Sequence, residues 1–269
     1  MLIDTHCHLD AVEFDADRDA VIADSQRAGV SIMVLPAVGP ANFDQVRCLA
    51  HAHEGLVYAL GVHPMLSNAL PADWEAQLQR ALLTHRDDPR LVAVGEIGLD
   101  GFVAGLDPAR QEQVFQTQLR LAASFDLPVL LHVRKAQDRV LKYLRAVPVR
   151  GGIAHAFNGS HQQAAQFIER GFALGFGGAM TFTRALQIRR LASELPDHAH
   201  VLETDAPDIA PEWIARARND PTHLPRIVQE LARLRDEDPT ATVLRTTANA
   251  RRVLPALDAW VAAGGHQRG

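Results

Sequence analysis

Eight short apolar segments spaced along 269 residues, each followed by a helical pattern, constrain this chain more than any other feature. They run from Ile3 toward His8, Val30 to Val38, Leu56 to Val62, Leu91 to Gly95, Pro128 to His132, Gly151 to His155, Phe172 to Gly177 and Val201 to Asp205. Near-continuous apolar runs of this length suit strands buried on both faces of a parallel sheet. Helices are expected over Asp15–Ala28, from an Asn42 cap to about His53, and over Asp73–His85, Pro108–Phe125, Ala136–Leu144, His161–Arg170 and Arg184–Leu195. Gly29 stops the first of them as a C′ residue. The tail reads as helical over Leu224–Leu234 and Thr240–Trp260. Strands alternating with helices call for a parallel sheet, and eight such units for an α/β fold, the closed (β/α)8 TIM barrel, which takes about 250 residues. An open doubly wound sheet is the competing arrangement, but no Gly-rich phosphate loop follows the first strand. No linker or low-complexity tract interrupts the pattern, so residues 1–269 are expected to form one domain.

A net charge of −5 leaves no general nucleic-acid or membrane surface, only room for local basic patches. Two cysteines, Cys7 and Cys48, make no disulfide framework and fit a reducing cytosol. The start has no basic region followed by an apolar one, and no run approaches the roughly 18 apolar residues that span a bilayer. A soluble cytoplasmic protein is expected.

Chemistry-bearing residues fall at the ends of the apolar segments. His6 and His8 end the first, His63 the third, Glu96 the fourth, His132 the fifth, His155 the sixth and Asp205 the eighth. In a barrel, the C-terminal strand ends converge on one mouth, so these seven would line a single cavity. Cys7, between the two histidines, should face away from them and pack. The remaining histidines (His51, His53, His85, His161, His198, His200, His223, His266) fall on helices, turns or the tail and read as solvated or incidental. Imidazole mixed with carboxylate suits zinc, manganese, iron or cobalt, and a bridging carboxylate can hold two ions about 4 Å apart.

The motifs in this order resemble the TatD-like metal-dependent deoxyribonucleases of the amidohydrolase-type superfamily. They are Ile3-Asp4-Thr5-His6-Cys7-His8-Leu9-Asp10, Gly61-Val62-His63-Pro64, Gly95-Glu96-Ile97-Gly98-Leu99-Asp100, Pro128 through Arg134, His155-Ala156-Phe157-Asn158-Gly159 and Leu202 through Pro207, with Asn219-Asp220-Pro221 and Asn249 toward the end. The resemblance implies a binuclear site of two divalent metal ions (Mg, Mn or Zn). One ion would be held by His6, His8, Glu96 and Asp205, the other by Glu96, His132 and His155, with Glu96 bridging. It further implies a deoxyribonuclease, as an exonuclease attacking phosphodiesters from a 3′ end, with DNA or an oligonucleotide as its partner. No membrane partner is expected, and the sequence does not give the oligomeric state, with a monomer favoured. Magnesium prefers all-oxygen ligation, so zinc or manganese is expected to bind this imidazole-rich set more tightly. Val133, Lys135 and Gly101-Phe102 depart from the family pattern, where Ser, Asp and an aromatic residue are common, and these departures touch substrate contacts.

Asp205 is the candidate general base, or a ligand alone. His63, Arg134 and Asn158 are candidates for holding substrate phosphate; the alternatives are an outer hydrogen bond for His63 and a salt bridge at the mouth for Arg134. Asp4 either orients an imidazole or satisfies backbone groups. Asn158-Gly159-Ser160 either presents N–H groups to phosphate or caps the helix from His161. Arg216, Arg218 and Asn219 would add local charge or form a solvated face. Phe102, Phe157 and Phe182 could stack bases, with core packing the default for Phe157. Two other functions compete: a binuclear hydrolase of a small-molecule amide, ester or lactone, and a non-catalytic metal or nucleic-acid binder. Glu96, standing where phosphotriesterase-like relatives carry a carboxylated lysine, disfavours that subtype.

Overall fold

A computed structural model describes residues 1–214 and 217–265. Its eight strands are β1 (Leu2–Asp4), β2 (Val30–Pro36), β3 (Leu56–Leu60), β4 (Leu91–Asp100), β5 (Val129–Arg134), β6 (Gly152–Ala154), β7 (Phe172–Phe176) and β8 (His200–Leu202). They pair in parallel in sequence order. The circle closes where Thr5 N–H donates to Leu202 O (3.0 Å) and Asp205 N–H to His6 O (2.8 Å). The helices are α1 (Arg18–Arg27), α2 (Phe43–Ala52), α3 (Trp74–Thr84), α4 (Pro108–Ser124), α5 (Gln137–Ala146), α6 (His161–Glu169), α7 (Leu186–Glu194), α8 (Leu224–Arg235), α9 (Pro239–Val253) and α10 (Pro255–Ala262). This is the parallel eight-stranded (β/α) barrel expected from the alternation. No helix among the described residues is long and apolar enough to cross a membrane.

Strand alternation sorts the apolar residues into two cores. Ile32, Val34, Val57, Leu130, Ile153, Ala173 and Val201 pack together inside the barrel, while Met33, Leu35, Leu56, Tyr58, Leu131 and Leu202 pack outward with the helices. Leu254, Leu257 and Trp260 join the inner cluster and close the end opposite the mouth. That closure depends on a break the sequence reading ran through. Thr240–Trp260 is two helices, because Pro255 lacks an N–H and holds Leu254 out of the helical region (φ −122, ψ 78). The last turns can therefore swing beneath the barrel.

Asn42 precedes α2 as expected but does not cap it. Its side-chain oxygen instead accepts from the Val38 and Gly39 N–H groups, and its amide donates to Asp10. Ser160 does cap α6, in a reciprocal box with Gln163, which settles the local geometry of the Asn158-Gly159-Ser160 turn. Gly29 takes the left-handed conformation (φ 97) that ends α1.

Candidate metal centre

The fourth strand runs further than its apolar segment, to Asp100, and carries a bulge. Val94 and Ile97 are three positions apart where their partners Val129 and Leu131 are two apart. Without the extra residue, Glu96 would share the outward face of Val94. The bulge reverses the phase, so Ile97 and Leu99 pack outward and Glu96 turns into the mouth. Gly95 makes the bend sterically possible, since a Cβ there would lie 2.6 Å from Leu130 Cβ.

Around this one carboxylate the other strands deliver imidazoles. Glu96 Oε2 lies 3.1 Å from His6 Nε2 and 3.5 Å from His8 Nε2. Glu96 Oε1 lies 2.9 Å from His132 Nδ1, 2.9 Å from His155 Nε2 and 3.4 Å from His63 Nε2. Asp205 Oδ1 completes the ring at 3.5 Å from His6 Nε2 and 3.8 Å from His8 Nε2. Among the described residues, three groups of donor atoms lie close enough together to share a cation: His6, His8 and Glu96; His6, His155 and Asp205; and His63, Glu96 and His132. All the sequence-predicted donors therefore come together, and the geometry adds His63 to them, 3.1 Å from His132 Nδ1. His6 is fully buried at the floor, its ring stacked on His155 at 4.0 Å. The others line a cavity of about 800 Å³ that also includes Arg134, Lys135, Phe102 and Asn158.

Two carboxylates stand behind the imidazoles. Asp100 Oδ2 lies 3.0 Å from His132 Nε2, which leaves His132 Nδ1 aimed at Glu96. Glu203 lies beneath His155, with Oε1 accepting from Ala156 N–H and 3.7 Å from His155 Nδ1. Gly175 provides its space, because a Cβ there would come within 2.1 Å of the Glu203 carboxylate. Neither role was read from the sequence. The signal for Glu203 is alternation: Val201 points inward, so Glu203 and Asp205 follow. Asp4 turns out to satisfy backbone groups and a hydroxyl. It accepts from His6 N–H (3.2 Å), Thr204 N–H (3.0 Å) and Thr204 Oγ1 (2.6 Å), and joins the first and last strands. Cys7 is buried in the outer layer, as alternation predicts.

Close packing of acids and bases shifts their protonation. Burial pushes the His6 imidazole down to about 3, with the neighbouring His155 charge adding to the effect, so its lone pair is free near neutral pH. Burial also opposes charge on His8, but the hydrogen bond and charge of Glu96, then Asp205, raise it to about 9. Burial opposes the Glu96 carboxylate too, yet the surrounding imidazoles hold its carboxyl well below the usual range. Burial lifts Asp205 to about 6 against the pull of His155 and His8. A cation here would replace protons that the imidazoles otherwise carry.

Other expectations resolve differently. Arg218 is neutralised by a two-pronged bond to Asp17, both contacts at 2.7 Å, so it adds no charge at the mouth. The buried Asn219 amide donates to the carbonyls of Thr204 and Asp208. Arg216 and His266 lie outside the described residues. Phe157 is core and Phe102 is half exposed. His200 is neither solvated nor incidental: it is buried in β8 against Phe176, because the barrel continues one residue earlier than the apolar run suggested.

Residues 3–255 match the family described as TatD related DNase. The chain is 41% identical to the Escherichia coli metal-dependent hydrolase YjjV over 239 residues, covering 87% of this chain and 90% of that protein. It is 34% identical to the Salmonella typhimurium 3′-5′ ssDNA/RNA exonuclease TatD over 260 residues, covering 93% and 97%. The crystal structure of the E. coli YjjV superposes with a TM-score of 0.90 at 36% identity, covering 94% of this chain and 98% of that one. With the motifs, the barrel and the donor cluster in agreement, the chain belongs to the TatD family of metal-dependent hydrolases.

Proposed function

We propose that this protein is a binuclear metal-dependent phosphodiesterase that shortens DNA from a 3′ end. The observation that carries the reading is Glu96, whose two oxygens face different imidazole groups, His6 with His8 on one side and His132 with His155 and His63 on the other. The donor set fits divalent ions. The His6 and His8 Nε2 atoms, 3.2 Å apart, converge on the same Glu96 oxygen, at 3.1 and 3.5 Å, an arrangement of donors that suits a cation between them. His6, His8, Glu96 and Asp205 would hold one ion and Glu96, His132 and His155 the other, with His63 in reach of the second. The ions would supply Lewis acidity at a phosphoryl oxygen and ease deprotonation of water.

The chain's own groups do the rest. Asp205 stands at the mouth as the acceptor of the proton lost by attacking water. Glu96 fixes the imidazoles in place, Asp100 holds His132 from behind through a hydrogen bond, and Glu203 stands 3.7 Å behind His155. Arg134 stands at the rim of the mouth, where its guanidinium fork can take a phosphate of the substrate strand. The names of the TatD relatives support single-stranded nucleic acid as the substrate class.

The test is a panel of single-stranded DNA, duplex DNA, RNA, a chromogenic diester, amides and lactones, with protein loaded with Mn2+, Zn2+ or Mg2+. Cleavage of single-stranded DNA from the 3′ end is expected, falling to background in Glu96→Ala. Turnover of amides or lactones with no diester cleavage would overturn the nuclease reading, and full activity in Glu96→Ala would remove Glu96 from the centre.

A further inference from the structure

The positions that depart from the family pattern meet in space, at the rim beside His132. Gly101 N–H donates to Arg134 O at 2.7 Å. A Cβ on Gly101 would lie 2.6 Å from Lys135 O, so this approach of two loop backbones needs glycine. The next residues are pinned by Asp100, whose Oδ1 accepts from Phe102 N–H (2.7 Å) and Val103 N–H (2.8 Å). Lys135 adopts the left-handed conformation (φ 51) at the turn out of β5. The result places two cations on one ring: the Arg134 guanidinium carbon is 3.9 Å and the Lys135 ammonium 4.6 Å from the centre of Phe102. Phe102 is 52% exposed, and all three side chains line the cavity.

Aromatic contact stabilises each cation, but two like charges on one ring repel. Among the described residues neither side chain has a carboxylate partner or a side-chain hydrogen bond, so no acidic group offsets that repulsion. The nearby Asp100 carboxylate is spent on His132 and two backbone N–H groups. A guanidinium lying on a ring keeps its N–H edge free for an anion.

We infer that Phe102, Arg134 and Lys135 form a second phosphate site, distinct from the metal centre and taking the phosphate next to the one being cleaved; this rests on the nuclease reading. Arg134 stands two residues past His132 on the same strand face, roughly 6–7 Å along the strand. With its guanidinium resting on the ring of Phe102 rather than turned toward Glu96, Arg134 would hold a different group from one at Glu96. Extended single-stranded nucleic acid presents successive phosphates in just such a series.

The test measures binding apart from turnover. Fluorescence anisotropy with a labelled single-stranded hexathymidylate, in EDTA, is compared for the wild type, Lys135→Ala and Phe102→Leu; the leucine keeps bulk but loses the aromatic face. Each variant is expected to weaken binding about tenfold, and Lys135→Ala to lower the slope of log affinity against log salt by about 0.7, the loss of one single-strand phosphate contact. In cleavage, KM for the oligonucleotide should rise more than KM for bis(4-nitrophenyl) phosphate, which has no neighbouring phosphate. Unchanged affinity and salt slope in both variants would overturn the site. Variant-sensitive binding without cleavage of any nucleic acid would uphold the site and overturn the nuclease activity. Cleavage of oligonucleotides with wild-type KM in both variants would do the reverse.

Discussion

On the binuclear reading proposed above, replacing Asp100 by asparagine should disable one half of the metal centre while leaving the fold intact. In the native site Asp100 Oδ2 accepts from His132 Nε2 and Oδ1 accepts from two backbone N–H groups, and these bonds hold its carboxyl well below the usual range although burial works the other way. The acceptor at Nε2 forces the His132 proton onto that nitrogen and leaves a lone pair on Nδ1, 2.9 Å from Glu96. Asparagine can still accept from Phe102 and Val103, but its NH2 then faces Nε2. His132 must move its proton to Nδ1, where it donates to Glu96 and withdraws both a lone pair and part of a carboxylate from the centre. Loss of such an outer carboxylate typically costs about 10–100-fold in metal affinity, or about 1.4–2.8 kcal/mol of binding free energy. Isothermal titration of metal-free protein with Mn2+ or Zn2+ should show one binding event weakened by that factor and the other nearly unchanged, with Tm little altered. Two events of native affinity in Asp100→Asn would refute the tautomer argument.

Two further outcomes follow from other parts of the barrel. Burial, then the charges of Arg235 and Arg245, push His200 down to about 3. Its neutral ring is satisfied by Ala192 O at Nε2 (3.0 Å) and Arg245 at Nδ1 (3.3 Å). Between about pH 6.5 and 3 the unfolded chain binds a proton that the folded chain refuses, so stability falls as pH falls through that window. By pH 5 the loss relative to pH 7 is about 2 kcal/mol from this residue. Urea midpoints at the two pH values should differ less in His200→Gln, and equal pH sensitivity in the two proteins would count against the assignment. Gly98 (φ 152) lies against β5, where a Cβ would come within 1.9 Å of His132 O. Gly98→Ala should therefore lose at least about 3 kcal/mol in a denaturant titration, and a loss below 1 kcal/mol would mean that the strand pair can separate freely.

The barrel was legible because each buried strand is a block of apolar residues between polar turns, and the donors were legible because they stand at the ends of those blocks. What escaped the sequence depended on a partner or on a phase change. Strict alternation turns Glu96 outward; only pairing with β5 reveals the extra residue that brings it in. Asp100 looked like the end of a motif because its partner, His132, belongs to another strand. Glu203 has its place because Gly175 on β7 is empty beneath it. His200 read as a surface histidine because it precedes the apolar run, and its burial follows from the arginines of α8 and α9 reaching over it. Arg134 was weighed between phosphate and a salt bridge, whereas its contact is the ring of Phe102, a residue that periodicity cannot place.

The joint between Asp4 and Thr204 ties residues two hundred positions apart, and the same joint sets His6 and His8 beside Asp205. On the ribosome, the first histidines emerge long before the last strand exists. A nascent chain carrying β1 through β7 would have five of the imidazoles in hand yet neither Asp205 nor the seam that aims the first pair. Assembly of the reactive mouth and completion of the barrel are thus one late event. A partly made chain therefore holds imidazoles without the carboxylate and the seam that complete the site.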